Sequence, residues 1–141
     1  GIPLSQINNI KNGLGWTTPE GEFISSERLT TPADPARSYA YCSDTTFKPD
    51  IADIIKGVDM VFHESTYSSE DTTRARKHFH STASEAATVA KRAQAGHLIL
   101  GHYSARYDNE AKMLEEARSI FPNTDLAAEG MVFDVTSRVV P

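Results

Sequence analysis

Three short apolar runs in this chain each end in residues that carry chemistry, and helical segments fall between them. Ser38-Tyr39-Ala40-Tyr41-Cys42 leads into Ser43-Asp44-Thr45. Residues 58–62 lead into His63-Glu64, and residues 97–100 lead into Gly101-His102-Tyr103-Ser104. Each run is short, apolar and bounded by turn residues, so each reads as a strand. Between them, 50–56 is predicted as a short helix closed by Gly57. Residues 82–95 are the clearest helix, with Gly96 as its stop. Ala83, Ala86, Ala87, Ala90 and Ala93 give that helix a small-residue face suited to close packing on a sheet, and Thr82 and Glu85 have capping-box spacing. A last helix is expected over 109–120. Alternating strands and helices make an α/β layer arrangement, whose ligands sit beyond the carboxyl ends of strands. Asp44, His63-Glu64 and His102 fall at those ends.

The rest of the chain is less constrained. A short helix over 5–12 ends at Gly13, a turn at 17–21 precedes a strand at 22–24, and 30–36 is a loop with two prolines. The polar stretch 64–81 reads as loop with some helix. Strands are expected at 124–127 and 131–135 around a turn at Glu129-Gly130. No repeat or linker divides residues 1–141, so they read as part of one domain. The net charge of −5 argues against broad binding of a phosphate backbone by this chain alone, and leaves room for a local contact. One cysteine, Cys42, excludes a disulfide framework and a Cys-rich zinc site. No apolar run has the length of a membrane helix. The expected compartment is the cytoplasm. The start, Gly1-Ile2-Pro3 without Met, fits a processed product or a fragment.

Asp44 and His102 pair a carboxylate with an imidazole, a donor set that suits zinc, manganese or iron. Each alone is equally a turn cap or a helix cap, and two residues do not complete a site of ~4 ligands. Glu64 and His80 offer a second pairing, in which a carboxylate holds a proton-transfer histidine in one tautomer; a solvated loop and a cap explain them as simply. His78-Phe79-His80 alternates two histidines but precedes a helix cap, which disfavours a metal site. His97 and Cys42 read as structural, and Arg74, Arg76 and Lys77 as a solvated basic stretch.

Four motifs occur in a fixed order: Tyr41-Cys42-Ser43-Asp44-Thr45, Val61-Phe62-His63-Glu64-Ser65-Thr66-Tyr67, His80-Ser81-Thr82-Ala83, and Leu100-Gly101-His102-Tyr103-Ser104-Ala105-Arg106-Tyr107. Together they resemble the carboxyl half of the ribonuclease Z (tRNase Z) family of metallo-β-lactamase-fold endonucleases. The opening Gly1-Ile2-Pro3 and the tail from Phe121 to Gly130 resemble that family too.

The resemblance implies half of an αββα sandwich, a mixed sheet with helices on one face. It implies an endoribonuclease that removes the 3′ trailer from precursor tRNA with two zinc ions. Asp44 corresponds to the aspartate bridging both metals, His102 to the terminal histidine ligand, Glu64 and His80 to the pair beside the leaving oxygen, and Arg106 to a contact for substrate phosphate. Where the family has His-Glu-Ala-Thr, this chain has His-Glu-Ser-Thr. The family's amino-half motif His-x-His-x-Asp-His is not in these residues. The stretch alone is therefore expected to be inactive, and to self-associate, as a homodimer, through an uncovered sheet face. The alternatives are another phosphodiesterase or hydrolase of the same fold, or a non-catalytic half that only pairs with a partner chain.

Overall fold

A computed structural model describes residues 1–135. Among the described residues the backbone packs as two compact units, one over Gly1–Pro35 and a second that begins at Ala36. In the first, a 3₁₀ turn (Leu4–Gln6) continues as helix α1 (Ile7–Lys11), which buries Ile10. Strand β1 (Trp16–Thr17) pairs antiparallel with β2 (Phe23–Ile24), and helix α2 (Ser26–Leu29) follows.

The second unit holds the sheet. Strands β3 (Tyr39–Cys42), β4 (Met60–Glu64), β5 (His97–Gly101) and β6 (Thr124–Leu126) lie in that order, all parallel. Antiparallel pairing among the described residues is confined to the β1–β2 ribbon. The register aligns Cys42, His63, Leu100 and Leu126. Helices α3 (Ile51–Ile54), α5 (Ala83–Arg92) and α6 (Ala111–Ile120) make the crossovers, and a 3₁₀ turn (Ser69–Asp71) with α4 (Thr72–Lys77) precedes α5.

The core explains the alanines of α5. Ala83, Ala86, Ala87 and Ala90 have no exposed surface and pack with Val61, Leu98, Leu100, Met113 and Ala117. Methyl side chains let α5 approach both the sheet and α6. The α5 capping box forms as expected: Glu85 N–H donates to Thr82 Oγ1 (3.2 Å) and Thr82 N–H to Glu85 Oε2 (2.9 Å).

Several boundaries move for identifiable reasons. Helix α5 ends at Arg92 rather than near Gly96, because Gln94 takes a left-handed turn (φ 54°) and Gly96 N–H donates to Val58 O. Asn109 Oδ1 accepts from Ala111 N–H (3.1 Å), so α6 starts at Ala111. Strand β4 continues through His63 and Glu64 because β5 offers a partner as far as Gly101. The expected strand at 131–135 does not form. Met131 N–H turns back to Ala128 O, and Met131, Phe133 and Val135 instead line a groove with Tyr39, Met60, Phe62 and Ile99.

Those four strand residues belong to the sheet face away from the helices. Phe62 stacks on Tyr41 with centroids 4.7 Å apart, and Tyr39 and Tyr41 stay more than half exposed. Gly101 is a requirement of this face: a Cβ there would collide with the Phe62 ring.

On the helix face, His63 is buried and its Nδ1–H donates to the Glu64 carbonyl (2.7 Å). Its Nε2 is then a lone pair without a partner. Burial pushes the imidazole pKa below its ordinary value. Above about pH 6.5 the ring is neutral folded or unfolded, and no stability depends on it. Below that, the unfolded chain takes a proton that the folded chain refuses. Stability should fall as pH drops toward the depressed folded value, by up to about 1.4 kcal/mol per pH unit. Urea unfolding between neutrality and about pH 5 should show a shallower acid slope for His63→Leu. An identical slope would mean that His63 charges freely in the fold.

Candidate active site

The site lies beyond the carboxyl ends of β3, β4 and β5. Its centre is the Glu64 carboxylate, fully buried at the end of β4. Oε1 accepts from Thr45 N–H (3.1 Å), Ser81 N–H (3.0 Å) and His80 Nδ1 (2.9 Å). Oε2 accepts from Thr66 N–H (2.9 Å) and Thr66 Oγ1–H (2.8 Å). A carboxylate stripped of water costs several kcal/mol unless its lone pairs are filled, and these donors fill them. The same bonds tie together the loops after β3 and β4 and the turn before α5. Ser81 Oγ–H adds a bond to Thr45 O (2.8 Å).

Thr66 extends this network to the third strand. Its hydroxyl proton goes to Glu64, so its oxygen must accept from His102 Nδ1, 2.8 Å away. In the neutral ring that bond leaves Nε2 without a proton, and Nε2 lies 3.2 Å from Asp44 Oδ1. A proton on Nε2, or a metal cation between the two atoms, would satisfy both. His102 itself sits in the left-handed region (φ 60°), directly after β5.

Asp44, His80 and His102 each place a ligand-capable atom within 4.8 Å of the others. The His80 and His102 rings are 5.3 Å apart, and Tyr67 presents an edge to His80 at 6.1 Å. A divalent cation fits this donor set, with Asp44 and His102 as its holders. His80 differs from them because its Nδ1–H is committed to a buried carboxylate. Arg106 is exposed on the turn after His102, and no described contact joins its side chain to the other four.

Thr66 is the residue that sequence reasoning passed over. A threonine two residues after a strand-end glutamate was the available signal, but its role depends on His102, which is distant in sequence. His97 is structural as expected, paired with Asp125 (2.8 Å), and Cys42 is half-buried with its thiol pKa raised by burial. Burial also raises Tyr103 to about 12; its hydroxyl is bonded to Leu100 O. That removes it as a proton source near neutrality.

Comparison with known proteins identifies the family. A family described as "Beta-lactamase superfamily domain" matches residues 19–103. The chain is 48% identical over 130 residues to ribonuclease Z of Bacteroides fragilis (strain YCH46), covering 92% of this chain and 43% of that protein. It is 50% identical over 134 residues to ribonuclease Z of Porphyromonas gingivalis (strain ATCC BAA-308 / W83), covering 95% and 44%. The chain thus spans less than half the length of these curated relatives. The crystal structure of human tRNase Z, short form, superposes with a TM-score of 0.50 at 28% identity, over 67% of this chain and 31% of that one. The metallo-beta-lactamase fold protein YhfI of Bacillus subtilis superposes at 0.62 over 70% of this chain and 40% of that one; at 22% identity it speaks to the fold alone. On half of a metallo-β-lactamase sandwich, with Asp44, Glu64, His80 and His102 gathered at the strand ends, the chain belongs to the β-lactamase superfamily, with ribonuclease Z proteins among its homologues.

Proposed function

We propose that this chain supplies the carboxyl-terminal half of the active site of a zinc-dependent endoribonuclease that removes the 3′ trailer from precursor tRNA. The observation that carries this reading is the bond from His80 Nδ1 to the buried Glu64 carboxylate, set beside Asp44 and His102. The similarity to ribonuclease Z supports it.

In this reading Asp44 and His102 hold metal, together with ligands from outside these residues. Zinc held there would supply hydroxide near neutral pH and offset charge on the phosphate. The chain's own contribution is proton delivery. The water oxygen bonds to phosphorus as the bond from phosphorus to the ribose 3′ oxygen breaks. That alkoxide leaves poorly without a proton, and His80 Nε2–H provides one while Glu64 holds Nδ1 and balances the imidazolium charge. The tRNA keeps a 3′ hydroxyl and the trailer a 5′ phosphate. Arg106 is assigned to the substrate phosphate. The compartment proposed is the cytoplasm; among the described residues no helix is long and apolar enough to cross a membrane.

The aromatic residues left exposed on the far sheet face lead to a second expectation. Residues 1–141 alone should lack activity and self-associate, as a homodimer, through the sheet face that carries Tyr39 and Tyr41, because exposed aromatic surface of this kind marks an association face. Sedimentation at micromolar concentration tests this, and a well-behaved monomer would contradict it.

Substitutions in the whole protein test the assignments, with rate and zinc content measured on each. His80→Ala should slow cleavage by about 10²–10⁴-fold with zinc retained. The double variant with Glu64→Ala should be little slower than His80→Ala, because the two act as a unit. Glu64→Ala should also lower thermal stability, since it strands the amides of Thr45, Thr66 and Ser81 at roughly 1–3 kcal/mol per unpaired group. Asp44→Ala should lose zinc. Thr66→Val should weaken zinc binding by about 10–100-fold, and Thr66→Ser should restore it. Zinc loss in His80→Ala would make His80 a ligand, and wild-type zinc affinity in Thr66→Val would remove Thr66 from its positioning role.

A further inference from the structure

Helix α4 ends in a backbone motif that normally recruits glycine. His80 N–H donates to Ala75 O (2.8 Å) and Phe79 N–H to Arg76 O (3.3 Å), the paired bonds of a Schellman C-cap. In that motif the residue before His80 must be left-handed, and Phe79 has φ 60°. A bulky aromatic residue is a marked outlier there, and such outliers cluster where function needs the side chain. The ring gains little from the fold in return, because Phe79 is 74% exposed. It follows a turn of exposed cations, Arg74, Arg76 and Lys77, with His78 beside them. Asp71 lies 3.9 Å from Arg74, leaving Arg76 and Lys77 as the freer charges. This is the most basic stretch of an acidic chain, and it directly adjoins the histidine assigned to the leaving oxygen.

We propose that Phe79 is a stacking platform for an unpaired base of the RNA substrate next to the scissile phosphate, with Arg76 and Lys77 following its backbone. This rests on the ribonuclease reading and deepens it. An exposed aromatic ring among cations is how proteins hold single-stranded nucleic acid, since every base has a face to stack. Phe79 directly precedes His80, so in this proposal its ring takes a nucleotide flanking the bond that breaks. A lone aromatic ring flanked by charge suits a base better than an apolar protein surface.

The test uses the whole protein that contains this chain, a precursor tRNA with its trailer, and the same RNA made abasic, one position at a time, at the nucleotides flanking the cleaved bond. Phe79→Leu should weaken binding of the intact RNA by roughly 5- to 100-fold, as loss of one stacked base does, and Phe79→Trp should retain it. The loss should appear in KM more than in kcat. One abasic position should cost the wild type a similar factor and cost Phe79→Leu nothing further. Phe79→Gly should bind as weakly as Phe79→Leu while melting no lower than wild type, because glycine suits the left-handed position. Wild-type affinity in Phe79→Leu, or independent losses at every abasic position, would overturn the stacking role alone. A lower melting temperature in Phe79→Gly would overturn it too, by showing that the ring packs within the protein. Failure of the wild type to bind or cut the precursor would overturn the ribonuclease reading and this inference together.

Discussion

A buried carboxylate has to find donors, and in this protein the search for them organises the site. Glu64 ends the central strand β4 with no exposed surface. Its donors come from the residue after Asp44, from its own loop at Thr66, and from the turn that carries His80 and Ser81. Three segments distant in sequence are thereby held at fixed distances. Thr66 passes the constraint on to His102, so the Glu64–His80 pair and the Asp44–His102 pair are joined through one polar network. A small displacement of Glu64 would be felt at Asp44 through Thr45 and at His102 through Thr66.

Packing beneath the site makes that rigidity possible. The alanine face of α5 lets the helix close onto β4 and β5, and the capping box fixes its first turn directly after His80 and Ser81. The opposite sheet face is built differently. Phe62 covers the space left by Gly101 and stacks on Tyr41, while the segment up to Val135 borders the groove without joining the ladder. One face of the sheet is thus sealed by helices, and the other keeps exposed aromatic residues.

Much of this was legible in the sequence because it is local. The order of strands and helices, the α5 capping box, and the placing of Asp44, Glu64 and His102 at strand ends follow from short patterns. The missed features depend on distant partners. The extension of β4 to Glu64 required β5 alongside, and the loss of a strand at 131–135 required a turn at Ala128 that closes on itself. Thr66 became visible as a hub only once His102 lay 2.8 Å from its hydroxyl. The polar stretch 64–81 read as loop because its order comes from such bonds as Tyr107 Oη–H to Asp71 (2.6 Å), not from apolar periodicity.

The central claim is that Glu64 and Thr66 hold the Nδ1 atoms of two imidazoles and thereby fix the tautomer of each ring when it is neutral. Long-range proton–nitrogen correlation spectra of the histidine side chains in the metal-free protein test this most directly. In the neutral form, His80 and His102 should both carry their proton on Nδ1, against the usual preference of free histidine for Nε2. A proton on Nε2 of either neutral ring would contradict the account.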